Sequence, residues 1–116
     1  MKEKELYSTA RFKVHPGKVE EFKRLSRLCM ESARSKYTGT LEYDVFLSED
    51  QTEGVVHERY CDSEALLQHM ANLGELMGAM MKVASFTGEI CGTASPALAK
   101  ALEGSGVQLF KLHQSL

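Results

Sequence analysis

The sequence is short of the features that direct a protein to a membrane or a nucleic acid. No apolar stretch approaches the roughly 20 residues of a membrane-spanning helix, and the first five residues, Met-Lys-Glu-Lys-Glu, lack the apolar segment of a signal peptide. The 14 basic and 16 acidic residues nearly cancel, and the basic residues are scattered. These absences predict a cytoplasmic protein that has neither nucleic acid nor membrane as a partner.

Motifs for disulfides and metals are also missing. The three cysteines, Cys29, Cys61 and Cys91, are far apart and odd in number, which excludes a disulfide framework and a Cys-x-x-Cys motif. The four histidines show no metal-ligand spacing on any one element. We therefore predict buried free thiols and no metal site.

The composition that remains is that of an ordinary globular domain. The chain has 116 residues, of which 43% are hydrophobic and 26% are charged. This length and composition predict a single domain over residues 1–116. Its core spans residues 6–95, and residues 96–116 form a C-terminal helix-strand extension. A domain of this size would gain buried surface from oligomerisation.

Hydrophobic periodicity divides the chain into elements. The predicted strands are residues 6–15, 41–47, 55–61, 85–93 and 107–112, and the predicted helices are residues 18–35, 63–84 and 95–103. Residues 37–40 are expected to end the first helix. The second helix places Leu66, Met70, Leu73, Met77 and Met80 along one stripe, which indicates core packing or a surface that adapts to a ligand.

The element order is β-α-β-β-α-β followed by a terminal αβ extension. This is the split βαβ, or ferredoxin-like, pattern of the α+β class, in which an antiparallel sheet carries both long helices on one face. The last strand has apolar residues on both sides, so we expect burial on both sides or pairing with another subunit.

The other face of the sheet has no helix left to cover it. We predict that this face carries a mixture of apolar and polar side chains, from Tyr7, Arg11, Val56, Glu58 and Tyr60. A homodimer that encloses a cavity would cover such a face, and dimers with two-fold symmetry are the commonest oligomers.

Residues 55–69, from Val55 to His69, are the most informative segment. Glu58 and Tyr60 share one strand face because side chains alternate with a period of two. Asp62 or Ser63 can cap the helix that follows, which then carries His69. The segment predicts a small site made of an acid, a phenol and an imidazole.

Three stretches give the chain its family resemblance. They are Ala10-Arg-Phe-Lys-Val-His-Pro-Gly-Lys18 with Phe22, Gly39-Thr-Leu-Glu-Tyr43, and Glu58-Arg-Tyr-Cys-Asp-Ser-Glu-Ala65 followed by His69. In this order and spacing they resemble the antibiotic biosynthesis monooxygenase family of dimeric α+β barrels, including quinol monooxygenase-like proteins. The similarity covers roughly residues 6–95.

The resemblance implies an oxygenase that uses no cofactor and oxidises a small electron-rich phenol, quinol or anthrone-like compound with dioxygen. In this chemistry the deprotonated substrate itself reduces dioxygen, so the protein removes a proton and holds the anion. His69 suits the base role, Tyr60 and Glu58 would assist it, and Arg11 would offset the charge of the anion. The substrate would also contact three further residues, Thr9, Leu73 and Met77.

One departure from the family pattern limits the reaction. Members commonly carry Trp where this chain has Tyr60, and the haem-degrading branch pairs that Trp with an Asn on the first strand and a late His on the second helix. This chain has no Trp, and its first strand offers Thr9 and Arg11. Haem degradation is therefore disfavoured.

Structural alternatives remain for each candidate residue. His69 can simply pack on its helix, hydrogen-bonded to Glu58 or Tyr60, and Tyr60 can line a cavity without taking part in chemistry. Glu58 can form an ion pair with Arg11 or Arg59. The partner of Arg11 can also be Asp44 or a bound anion. The alternative function is a small-molecule-binding or structural dimer without catalysis.

Overall fold

The structure, a computed structural model, describes residues 3–36 and 39–116. Its elements in chain order are β1 (Leu6–Val14), α1 (Val19–Ser35), β2 (Thr40–Leu47), β3 (Glu53–Tyr60), α2 (Ser63–Leu73), α3 (Glu75–Val83), β4 (Ala84–Cys91), α4 (Pro96–Ala101) and β5 (Gln108–Phe110). The predicted order of strands and helices is confirmed, except that the second long helix is divided. The predicted stop of the first helix at residues 37–40 lies partly outside the described residues.

The strands form one open five-stranded sheet in the order β2-β3-β1-β4-β5. β1 pairs antiparallel with β3 and β4, and β2 pairs antiparallel with β3. This arrangement of the first four strands is ferredoxin-like and confirms the predicted α+β class. β5 joins parallel to β4, so the sheet is mixed rather than antiparallel throughout.

The described helices pack on one face of the sheet, which we call the covered face. Two clusters of buried side chains form the core there. One contains Leu6, Tyr60, Ala65, Leu66, Ile90, Leu98 and Leu102. The other contains Phe12, Phe22, Leu25, Val56, Val83 and Ala84, with the rings of Phe12 and Phe22 stacked 4.6 Å apart. The opposite face, called the open face below, has no helix packed on it within the described residues.

The second long helix breaks at Gly74, which corrects the prediction of one continuous helix. Gly74 has φ 51° and ψ −122°, a backbone conformation that glycine adopts without a steric penalty. α2 ends before this residue and α3 begins after it. The predicted apolar stripe is therefore interrupted, and Met77 on α3 is 41% exposed.

Side-chain caps fix the start of α2. The Asp62 carboxylate accepts a hydrogen bond of 2.8 Å from the backbone N–H of Ala65, so Asp62 is the N-cap. The next residue, Ser63, accepts a hydrogen bond of 2.9 Å from the N–H of Ser95, which in turn caps α4. These bonds hold the start of α2, and with it the position of His69, against the C-terminal extension.

β5 pairs with β4 of the same chain, and Leu109 and Phe110 are exposed because the short strand lies at the sheet edge. Burial of this strand on both sides is therefore wrong for the single chain, and its pairing with another subunit stays a prediction. The prediction that the thiols are buried is correct for one cysteine only. Only Cys29 is a buried thiol. Cys61, which follows the last residue of β3, and Cys91, the last residue of β4, are exposed.

Among the described residues, the helices are all too short or too polar to cross a lipid bilayer.

Candidate active site

The strand register places the two candidate residues of β3 beneath the helices. Glu58 lies opposite Ser8 on β1, and Tyr60 lies opposite Leu6. Tyr60 is fully buried in the core, as is Val56 on the same side of β3. The prediction that Val56, Glu58 and Tyr60 lie on the open face is therefore wrong. Both alternating sets of β3 residues mix polar and apolar side chains, so alternation alone did not identify the inward set.

The three candidate residues of the segment from Val55 to His69 come together on the covered face. They are Glu58, Tyr60 and His69. The Tyr60 hydroxyl donates a short hydrogen bond to Oε1 of Glu58. His69 on α2 is 4% exposed, and its ring centroid lies 5.7 Å from that of Tyr60. The hydrogen bond also corrects the expected ion pair of Glu58, since the carboxylate is paired with a phenol.

Two residues that sequence reasoning missed complete this group. Tyr43 on β2 lies opposite Glu58 across the β2–β3 pair and meets the His69 ring edge-on, with centroids 5.4 Å apart. Cys29 on α1 is buried beside Tyr43, and the charge of Glu58 contributes to a raised pKa of its thiol. We call Cys29, Tyr43, Glu58, Tyr60 and His69 the buried polar cluster. No local sequence pattern identifies Tyr43, because its position opposite Glu58 depends on the register of the β2–β3 pair.

Burial shifts the two proton-exchanging groups of the cluster toward their neutral forms. Desolvation raises the pKa of the Glu58 carboxyl, although the hydrogen bond from Tyr60 lowers it in part. Desolvation lowers the pKa of the His69 imidazole. The Glu58 carboxyl thus retains its proton to a higher pH than an ordinary carboxyl does. The nearby His69 imidazole stays neutral to a lower pH than an ordinary imidazole does. This arrangement is typical of acid-base sites.

The remaining members of the cluster stay protonated. Burial and the nearby Glu58 charge raise the pKa of the Tyr43 and Tyr60 hydroxyls. Burial likewise raises the pKa of the Cys29 thiol, so it is not an activated nucleophile. The cluster offers hydrogen-bond donors, one exchangeable carboxyl proton and one neutral base.

Arg11 and Thr9 are not part of this cluster, contrary to the prediction. They belong to the alternating set of β1 that lies opposite Val55 and His57 of β3, on the open face. The sheet separates them from His69. Arg11 is exposed, so it needs neither Glu58 nor Asp44 as a partner.

Arg59 has other acids as partners. It pairs with the buried Glu5 at 2.8 Å and with Glu42 at 3.2 Å. These contacts exclude Arg59 as the counter-ion of Glu58.

The two apolar candidates of the predicted stripe differ in position. Leu73 is partly buried one helical turn after His69, so it lies on the same side of α2. Met77 lies on α3 beyond the break at Gly74 and is largely exposed. Leu73 is suitably placed to line the site, whereas Met77 is not.

Three surface cavities in the described part of the chain indicate where small molecules can approach, and one of them, of about 440 Å³, is lined only by residues of the polar β2–β3 turn and its flanks. The remaining two lie beside the sheet. One, of about 530 Å³, lies at the hairpin end of the sheet and includes Arg11, Lys13 and Thr87 in its lining. The other, of about 380 Å³, lies between α1 and β2 and includes Tyr43 in its lining. Within the described residues, no group of three or more His, Cys, Asp or Glu side chains is arranged to hold a metal ion.

The sequence model of one family, antibiotic biosynthesis monooxygenase, matches residues 6–82. The chain therefore belongs to the antibiotic biosynthesis monooxygenase family. No curated protein matches the chain.

Solved structures share the fold. MupZ from Pseudomonas fluorescens is 27% identical, with a TM-score of 0.84 over 97% of this chain and 93% of MupZ. SnoaB from Streptomyces nogalater, a cofactor-independent oxygenase, is 19% identical, with a TM-score of 0.67 over 79% of this chain and 94% of SnoaB. The likeness to MupZ includes the C-terminal extension. The likeness to SnoaB is one of fold alone.

Proposed function

We propose that this protein is a monooxygenase that needs no cofactor and oxidises a small electron-rich aromatic compound, such as a quinol, phenol or anthrone, with dioxygen. The observation that carries the proposal is the pair formed by a buried neutral imidazole, His69, and a carboxyl of raised pKa, Glu58. Membership of the antibiotic biosynthesis monooxygenase family supports the reaction class.

His69 is the base in this proposal. Its pKa is lowered by burial, so the imidazole is neutral at neutral pH and accepts the acidic proton of the substrate. The resulting carbanion or phenolate is rich enough in electrons to reduce dioxygen. For an anthrone, the ring methylene loses two hydrogens and gains one oxygen atom, and the second oxygen atom leaves as water.

Glu58 is the acid that contacts the substrate oxygen. Because burial raises its pKa, the carboxyl retains a proton to a higher pH and donates it to the oxygen on which negative charge develops. Tyr60 is a positioning residue, since its hydroxyl donates to the carboxyl and holds its orientation. Leu73 lines the apolar side of the site.

A homodimer is the second part of the proposal. The open face carries exposed aromatic side chains, Tyr7 and Phe46, which are 43% and 53% exposed. The same face carries cations such as Arg11 and anions such as Asp44, so two copies related by a two-fold axis would be complementary in charge. We expect sedimentation to give the mass of two chains and Phe46→Asp to give the mass of one. A monomeric parent protein at micromolar concentration would contradict this part.

Oxygen consumption tests the reaction. The purified protein is mixed with anthrone, 1,4-naphthohydroquinone and catechol in an oxygen electrode, with spontaneous oxidation subtracted. We expect enzyme-dependent uptake with at least one compound and one labelled atom in the product when the gas is ¹⁸O₂. Glu58→Gln should reduce kcat about 10²-fold, which is the usual contribution of an acid group.

The binding alternative has a distinct outcome. If no compound consumes oxygen, and His69→Ala binds each compound as tightly as the parent protein does, then His69 is not a catalytic base and the oxygenase proposal fails.

A further inference from the structure

His69 is closed off in this structure, although Glu58 and Tyr43 of the buried polar cluster are only half-buried. Tyr60 is 0% exposed and His69 is 4% exposed, so a molecule as large as an aromatic ring cannot reach the imidazole without movement of a side chain. The proposed chemistry therefore requires an entrance.

The cavity between α1 and β2 is suitably placed for this entrance. Its lining comprises Ser26, Arg27, Met30, Tyr43, Asp44, Val45 and Phe46. Its volume of about 380 Å³ falls within the range of about 300–1,000 Å³ that is usual for small-molecule sites. β2 is an edge strand, so no further strand of the described part of the chain covers this side of the sheet. We call this space the α1–β2 cavity.

Tyr43 belongs to both the α1–β2 cavity and the buried polar cluster. Tyr43 is one of the lining residues of the cavity, and its ring meets the His69 ring edge-on, with centroids 5.4 Å apart. We propose that the α1–β2 cavity is the entrance and outer binding subsite of the active site, and that the Tyr43 side chain is the gate between this cavity and His69. This inference rests on the proposed function for the identity of the ligand.

The lining suits an uncharged aromatic ligand. Met30 offers a flexible thioether, which contacts aromatic rings favourably, and Val45 adds an apolar side chain. The charged lining residues, Arg27 and Asp44, have opposite signs, so the lining does not select an ion of either sign. The larger cavity has two cations, Arg11 and Lys13, and one acid, Glu53, and it approaches the sheet from the side where Arg11 lies.

Cys29 supplies a test that does not depend on turnover. Cys29 is 3% exposed, its thiol is hydrogen-bonded to the Tyr43 side chain, and it directly precedes Met30 on α1. If Tyr43 is the gate, a small uncharged aromatic thiol reagent such as N-phenylmaleimide must pass it to reach the thiol. The exposed Cys61 and Cys91 are replaced by serine in all variants, so that the labelling rate reports on Cys29 alone.

The two substitutions of Tyr43 have opposite expected results. Tyr43→Ala removes the gate and should raise the labelling rate about tenfold, whereas Tyr43→Phe keeps the ring and should leave it within about twofold. In the parent protein, the hydrogen bond with the Tyr43 hydroxyl lowers the pKa of the Cys29 thiol. Both variants lose this hydroxyl, so the chemical effect on the thiol is the same in each. Leu66→Ala, a core truncation outside the cavity, controls for general destabilisation and should not speed labelling.

Filling the cavity should have the reverse effect. Met30→Trp narrows the cavity and should slow labelling of Cys29 several-fold, while Leu28→Trp adds the same side chain at an exposed position of the same helix and should not. With an oxidised substrate, Met30→Trp should lower kcat/KM about tenfold, mainly through KM.

Equal labelling rates in the Tyr43→Ala variant and its parent, or labelling unaffected by Met30→Trp, would overturn the proposed entrance. If labelling follows the prediction but no compound consumes oxygen, the entrance stands and the oxygenase proposal fails.

Discussion

The two faces of the sheet each carry a group of acids and tyrosines, but they neutralise charge in different ways. On the open face, Arg59 lies between Glu5 and Glu42, and opposite charges are paired directly. On the covered face, the buried polar cluster contains no lysine or arginine, and burial shifts Glu58 and His69 toward their neutral forms. Ion pairs make the first group structural, whereas burial shifts the second group toward an uncharged acid and an uncharged base, as in acid-base sites.

The largest expected difference between the faces is in packing. Phe22→Ala removes a ring stacked on Phe12 in the core and should reduce the free energy of unfolding by about 3–5 kcal/mol. Phe46→Ala on the open face removes a ring that is 53% exposed. This substitution should reduce the free energy of unfolding of the monomer by less than about 1 kcal/mol. Urea denaturation measures both values. A similar loss for the two variants would mean that the open face contributes to the core.

The ion-pair network of the open face should have an intermediate effect. Arg59→Ala leaves the buried carboxylate of Glu5 without its cation and should destabilise the protein by about 1–3 kcal/mol. Arg24→Ala breaks an exposed pair with Glu21 on α1 and should change stability by less than about 1 kcal/mol. Urea denaturation at pH 7 compares the two. An equal change in the free energy of unfolding for the two variants would show that burial of Glu5 does not make its ion pair with Arg59 more stabilising than an exposed pair.

The smallest expected effect on stability is the effect of the His69 imidazole, which the pH dependence of denaturation measures. The folded state holds the pKa of His69 below its ordinary value of 6.5, so the unfolded chain binds more protons as the pH falls below 6.5 and stability is lost there. His69→Gln should therefore flatten the decline in the denaturation midpoint between pH 7 and about pH 5.

Glu58 should act in the opposite direction. Its pKa is raised in the folded state, so stability is lost as the pH rises from the ordinary value of 4.5 through the raised value. Glu58→Gln should reduce that loss. If both variants follow the pH curve of the parent protein, neither group has a shifted pKa, and the contrast between the faces disappears.

Much of the fold could be predicted from local patterns. The alternation of β1 and the helical spacing of α1 located these elements, and the observed cap, Asp62, is one of the two candidates that the sequence offered, the other being Ser63. These features depend on residues close in sequence, so the sequence carries them directly.

The composition of the site could be predicted only in part. Glu58, Tyr60 and His69 were found because they lie on one strand and the next helix. The inward face of β3 was misassigned because Val55 and Val56 give both faces an apolar residue. Tyr43 was missed because its pairing with Glu58 depends on a register that shifts between Thr40 and Glu42, which is set by tertiary contacts rather than by local sequence.

Two histidines on opposite faces of the sheet provide the most direct test of the account. His69 is buried in the cluster, whereas His57 is exposed on the open face. The measurement is the rate of oxygen uptake by His69→Gln and His57→Gln with the compound that the parent protein oxidises. The account predicts a loss of about 10²-fold or more for His69→Gln, and a rate near that of the parent protein for His57→Gln. An equal loss in both variants, or a loss in His57→Gln alone, would contradict an active site on the covered face.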